Sequence, residues 1–175
     1  MEQISFIFSQ LLAVAAISLL LWYTIRPVSR RAIMSFNIVI NLLWAGHYML
    51  LKAYSGAVCS VFCALMVWVF SYKGKRPFLS KLAVPLFFAI MFLAGGLLTW
   101  QGIGSLLPIM GNILLVIAMW RDREWTIKAI CILVAALWVV YNWMNRSLIG
   151  GIGQTLSLIA NLVYVATHHR QDTID

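Results

Sequence analysis

Leu43–Ser60, LWAGHYMLLKAYSGAVCS, returns in altered form as Leu137–Gln154, LWVVYNWMNRSLIGGIGQ. A gap-free shift of 94 positions lays Leu43 on Leu137, Trp44 on Trp138, Lys52 on Arg146 and Gly56 on Gly150. Each copy has the same layout: an apolar helix closing on aromatics and amides, one basic residue, a short turn, then a second apolar helix. The pair reads as a duplicated membrane unit.

Composition points the same way. With 63% hydrophobic and 10% charged residues over 175 positions, the chain has too little polar surface to coat a soluble globule. The net charge of +8 does not imply a nucleic-acid partner, because the cations sit in short connections between apolar runs and form no basic face. Cys59, Cys63 and Cys131 all lie inside apolar runs; their odd number and lack of CxxC spacing argue against a disulfide framework or a zinc site. They read as small helix-packing residues.

Seven stretches are long enough to span a hydrocarbon core: Ile4–Ile25, Ala32–Leu51, Gly56–Tyr72, Leu82–Trp100, Ile103–Trp120, Thr126–Met144 and Ser147–Ala166. The expected class is an all-α membrane protein of seven transmembrane helices. The first is no cleavable signal, since no Lys or Arg precedes Arg26. Lys and Arg set the orientation. Arg26, Arg30, Arg31, Lys73, Lys75, Arg76, Lys81, Arg121, Arg123, Lys128 and Arg170 fall on one side, and only Lys52 and Arg146 on the other. The first side is therefore cytoplasmic, the N-terminus outside and the C-terminus inside. Segments one to three and five to seven then run parallel as two three-helix repeats joined by a linker helix. The divisions are residues 1–72, a linker 73–100 with the fourth segment, 101–166, and a cytoplasmic tail 167–175. The tail's His168–His169 pair reads as an interfacial fringe, not a metal site.

The run KAYSGAVCSVFCALMVWVFSYK, the LLPIMGN at Leu106–Asn112 and the WVVYNWMNRSLIGG at Trp138–Gly151 resemble the YgjV family of small bacterial inner-membrane proteins, over most of the chain. Its three-plus-one-plus-three layout is similar to that of the SWEET sugar facilitators, the PQ-loop proteins and the PnuC-type vitamin carriers. That resemblance implies a small solute bound between the two halves, in a bacterial inner membrane. Pro108 stands near the place where the sugar facilitators have a proline.

Polar groups inside the spans carry the candidate site. Unpaired amides in hydrocarbon cost several kcal/mol, so they face other helices or a wet cavity. Asn37, Asn41, Trp44 and Tyr48 recur at spacings of four, three and four, on one helical face with His47 at its edge. Trp138, Asn142 and Asn145 form the matching face of the sixth segment, flanked by Tyr141. Gln154, Ser157 and Asn161 follow on the seventh, Asn112 on the fifth, and Ser18 stands at the equivalent place on the first. If the halves pack about a pseudo-twofold axis, these stripes converge on a central seam. The competing reading is interhelical glue for the amides and an interfacial belt for Trp and Tyr. His47 is either an interfacial histidine or a solute- or proton-responsive group. Gly95, Gly96, Gly150, Gly151 and Gly153 mark either hinges or close helix approach.

Aromatic plates with amides suit a flat, uncharged, hydrogen-bonding ligand. No acid lies within a segment, so a carboxylate proton relay and a cation site are excluded. HExxH, paired intramembrane carboxylates and a GxSx element are missing, which argues against an enzyme; no cofactor or metal is expected. The leading function is a small-solute carrier or facilitator. The alternative is a non-transporting membrane protein that binds a lipid, a partner subunit or a signal. Lipid and a small solute are the expected partners, and the oligomeric state is open. Under the carrier reading, Asn142→Leu and Asn161→Leu are expected to act alike, abolishing flux without disturbing insertion.

Overall fold

Apolar runs bounded by basic or glycine-bearing connections become helices throughout. In a computed structural model, residues 2–24, 30–120 and 124–168 are described. They form α1 Glu2–Thr24, α2 Arg30–Leu50, α3 Tyr54–Phe70, α4 Ala83–Leu98, α5 Leu106–Trp120, α6 Glu124–Met144 and α7 Leu148–His168. Short 3-10 turns at Pro77–Ser80 and Ile103–Ser105 precede α4 and α5, and no strand occurs among the described residues. Helix α3 starts at Tyr54, ahead of the expected Gly56, because Gln101 Oε1 accepts the Tyr54 N–H at 2.8 Å. At α7 the same service comes from Gln10 Oε1, which takes the Ile149 N–H at 3.1 Å. Each glutamine satisfies a donor that a helix start leaves orphaned.

The outer surface is apolar: Leu98 is 87% exposed, Ile103 77% and Leu82 74%, among a long series of exposed Leu, Ile, Val, Phe and Trp. Such a surface needs an apolar surround. By length and apolarity alone, two described stretches suffice to cross a membrane, Gln3–Trp22 and Ile103–Trp120. Tyr54–Phe70, Ala83–Leu98, Ala129–Met144 and Leu148–Val163 are apolar but shorter. In α2, Asn37, Asn41 and His47 dilute the apolar run.

Helix α2 packs between α1 and α3, and α6 between α5 and α7; α3 also meets α5, and α7 meets α1. These six helices close a ring. Helix α4 lies outside it, across α3 and α5, where Phe88 and Phe92 join Cys63, Met66 and Phe70 of α3 and Val116 of α5 in one buried cluster. Gly95 and Gly96 face Phe62 and Ile109 with no room for a Cβ, so both serve close approach at this junction.

The two turns of the repeat are the same turn. Lys52 (φ 58°) and Arg146 (φ 55°) are the two non-glycine residues with positive φ among those described. Lys52 N–H bonds Met49 O at 3.0 Å and Ala53 N–H bonds Tyr48 O at 2.9 Å; Arg146 N–H bonds Trp143 O at 3.2 Å and Ser147 N–H bonds Asn142 O at 2.9 Å. Each is a Schellman ending in which a cation takes the left-handed position usually given to glycine. The conformation costs roughly 1–2 kcal/mol. A cation beside a helix C-terminus returns about 0.3–1 kcal/mol of that.

Candidate functional site

The site is built where the C-terminal turns of α2 and α6 face each other. Tyr48 Oη donates to Asn142 Oδ1 at 3.1 Å, and these residues are 94 positions apart, the offset of the repeat. His47 and Tyr141 are repeat mates, and they cross reciprocally. His47 Nε2 lies 2.7 Å from Ser147 Oγ and its Nδ1 2.7 Å from Ser9 O. A carbonyl only accepts, so Nδ1 carries the proton and Nε2 accepts from the serine hydroxyl. The Tyr141 hydroxyl donates to Ala53 O at 3.4 Å, accepts the Gly56 N–H at 2.9 Å and meets Ser55 Oγ at 3.1 Å. Ala53 is the mate of Ser147. A contact from residue i to j that recurs from j's half to i's half is the mark of a twofold interface.

Beneath this layer, three rings stack. Trp44 and Tyr48 have centroids 5.8 Å apart at 23°, and Tyr48 and Trp138 5.6 Å apart at 24°. Tyr48 thus lies between two tryptophans that are themselves repeat mates. Tyr141 closes the stack edge-on against Tyr48 and Trp138.

Below the rings runs a cavity of about 600 Å³. It descends from Tyr48 to Met34 along α2, fourteen residues or about 21 Å of helix. Its lining repeats at the same offset: Asn37 with Cys131, Ile40 with Val134, Asn41 with Ala135, Trp44 with Trp138, Ser60 with Gln154, Cys63 with Ser157, and Val67 with Asn161. The void therefore sits on the pseudo-twofold axis. Among the described residues no Asp, Glu, Lys, Arg or His lines it.

Asn41 and Asn161 do not bridge helices in the way glue would. Asn41 Nδ2 donates to Asn37 O at 2.8 Å and Asn161 Nδ2 to Ser157 O at 2.9 Å, each within its own helix. Their carbonyl oxygens and second N–H groups remain for the cavity. Among the described residues, no protein hydrogen bond engages Gln154 or the Ser157 hydroxyl. Asn112 differs: it is buried, donates to Pro108 O at 2.8 Å and meets the Cys59 thiol. It touches the cavity as part of the α3–α5 contact.

Of the twelve candidates read from sequence, Asn37, Asn41, Trp44, Tyr48, Asn112, Trp138, Gln154, Ser157 and Asn161 line the cavity. His47, Tyr141 and Asn142 do not; all three are buried in the sealed layer above, their polar atoms taken by Ser9, Ser55, Gly56, Ser147 and Tyr48. His47 is therefore a buried member of that layer, and Asn142 and Asn161 are not alike. Ser18 stands outside the lining, and Leu20 contributes from α1 instead. The inward faces of Trp44 and Trp138 are occupied by Tyr48, so the indoles present edges and outer faces to the void. Ser9, Ser55 and Ser147 were not legible as partners; applying the offset to Ala53 is the one signal that leads to Ser147. Among the described residues no cluster of three or more His, Cys, Asp or Glu could hold a metal ion. The side chains of His168 and His169, and those of Arg26, Arg121, Arg123 and Arg170, lie outside the described residues.

No curated protein and no solved structure matches the chain. A family model does, and it covers residues 7–172, nearly the whole length. With its all-helical ring, apolar exterior and central void now described, the chain belongs to the Imp-YgjV family of bacterial inner membrane proteins.

Proposed function

We propose that the chain is a seven-span carrier or facilitator that holds a small, uncharged, ring-containing solute in the cavity between two like-oriented three-helix halves. One observation carries this reading: Asn41, Gln154, Ser157 and Asn161 turn polar groups into the void and spend none of them on a neighbouring helix. Placing amides in hydrocarbon with no partner is costly, and a passenger or water is what offsets it.

By the distribution of Lys and Arg, the cavity opens toward the cytoplasm and the ring layer closes it from the outside. Passage then requires Tyr48 to leave the slot between Trp44 and Trp138. The bonds to be exchanged are Tyr48 to Asn142, His47 to Ser147 and Tyr141 to the start of α3. At a net worth of about 1 kcal/mol each, such bonds hold a gate without locking it. All three join one half to the other, so a small rotation of the halves about their common axis loosens them together. With no carboxylate in the spans, movement is downhill.

The test is uptake of a panel of neutral solutes into vesicles reconstituted with the protein. Saturable entry of one solute, abolished by Gln154→Leu, supports the carrier. Insertion and folding without entry of any panel member would instead favour a non-transporting protein that binds a lipid, a partner or a signal.

A further inference from the structure

Resting on that carrier reading, we infer that the cavity selects a neutral flat heterocycle whose N–H and C=O groups lie along one edge, and rejects polyols such as sugars. The basis is a difference between repeat mates. On α2 and α7 the lining offers Asn41, Ser157 and Asn161; at the mated positions on α6 and α3 it offers Ala135, Cys63 and Val67. Ser60, the mate of Gln154, spends its hydroxyl on Gly56 O at 2.9 Å, leaving Gln154 as the open group of that pair. In the ring of helices α2 and α7 both adjoin α1, whereas α3 and α6 both adjoin α5. Duplication has therefore produced one void with an open hydrogen-bonding side and, across the axis, a mostly apolar side whose polar members are spent within the protein, Ser60 on Gly56 O and Asn112 on Pro108 O and the Cys59 thiol.

A sugar carries hydroxyls around its whole rim. Bound here, it would strand those that meet Ala135, Cys63 and Val67, and each stranded hydroxyl lowers binding about tenfold or more. A cyclic amide of the pyrimidine or purine type has the opposite layout. Its –NH–CO– edge pairs with the donor and acceptor of a carboxamide such as Gln154, and its carbon edge rests on thiol and methyl groups. The polar stripe from Gln154 to Asn161 spans seven residues, about 10 Å, enough for the long edge of a bicyclic ring. Among the described residues no charged side chain lines the cavity, so its wall suits a neutral ring better than a phosphorylated or carboxylated one.

Equilibrium dialysis in mild detergent, with labelled hypoxanthine, uracil, glucose and myo-inositol, tests the inference. Expected is binding of hypoxanthine or uracil at least about tenfold tighter than of either polyol. Gln154→Leu should erase that binding while the thermal midpoint stays put. A grafted variant, Cys63→Ser with Val67→Asn, copies the α7 face onto α3 and should shrink the preference by bringing polyols in. Should the graft aggregate, the native protein and Gln154→Leu decide alone. Polyols bound or transported as well as the heterocycles would overturn the inference and leave the carrier standing. If no probe binds and the vesicle panel shows no entry, carrier and inference fall together; heterocycle binding without entry keeps the inference and removes transport.

Discussion

Tyr48 and Asn142 occupy the same place in the two halves of the chain, and the hydroxyl of one donates to the carboxamide of the other at 3.1 Å. Two equivalent positions can touch only where the symmetry axis passes between them. Everything else at this end is arranged around that point: the two indoles above and below Tyr48, and His47 and Tyr141 reaching across in opposite senses. The axis is thus plugged by a residue pair that the duplication has made unlike, a phenol on one side and an amide on the other.

Tyr48→Phe keeps the ring stack and removes the donor, leaving the Asn142 oxygen buried without it. Thermal unfolding in detergent should show a loss of about 1–3 kcal/mol. An unchanged midpoint would mean that the bond across the axis contributes nothing to closing the halves.

Gly56 has the Tyr141 ring where a Cβ would stand, at 2.6 Å from Cε1. Gly56→Ala should therefore push the ring away, break the cap it provides to α3 and cost about 1–3 kcal/mol. The same change in a Tyr141→Leu background should cost markedly less, since the two residues share one contact. Additive losses in the double-mutant cycle would place the strain elsewhere.

Arg146 holds a left-handed turn that glycine adopts freely and a β-branched residue resists. Arg146→Gly should stay within about 1 kcal/mol of the native stability, whereas Arg146→Val should fall below Arg146→Gly by about 1–2 kcal/mol. Lys52 should give the same ordering. Equal stabilities for the two variants at either position would show that the turn relaxes out of this conformation.

Asn161→Leu and Asn142→Leu separate the two roles that amides play here. Asn161 bonds only its own helix and borders the void, so its replacement should leave stability within about 0.5 kcal/mol. Asn142 is buried and accepts from Tyr48, so its loss should cost about 1–3 kcal/mol. Unfolding midpoints of the two variants check this, and similar losses would mark Asn161 as packing.

The offset between the halves was legible from four matched residues: the cation holds the left-handed turn position, Trp44 and Trp138 flank Tyr48, and Gly56 and Gly150 admit the side chains that cross from the other half or the preceding turn. The stripe Asn37–Asn41–Trp44 was legible from helical spacing, and so was the run Gln154–Ser157–Asn161. Spacing assigns a face but not a depth, and this explains His47, Tyr141 and Asn142: they share the seam-facing side yet sit a turn nearer the crossing, where the helices leave no void. Nor did polarity alone disclose Cys63, Cys131, Val134 and Ala135 as lining. Cys63, Cys131 and Ala135 are mates of polar positions and Val134 is the mate of Ile40, visible only when the offset is applied to a cavity already known. Ser9 had no signal at all, since its role to His47 is played by a backbone carbonyl that any residue would supply.

Whether the void is wet can be measured directly by thiol accessibility, since a thiol reacts with a water-soluble methanethiosulfonate only where water reaches it and lets it ionise. With Cys59, Cys63 and Cys131 replaced by Ala, cysteines would be placed at Asn41, Ser157 and Asn161 in the cavity and at Leu156 and Ile159 on the outer face of α7, where they are 61% and 51% exposed. In membranes, the three cavity positions should label and the two outer ones should not. Silence at all three cavity positions, or labelling no faster there than at Leu156 and Ile159, would contradict a water-filled, amide-lined interior between the two halves.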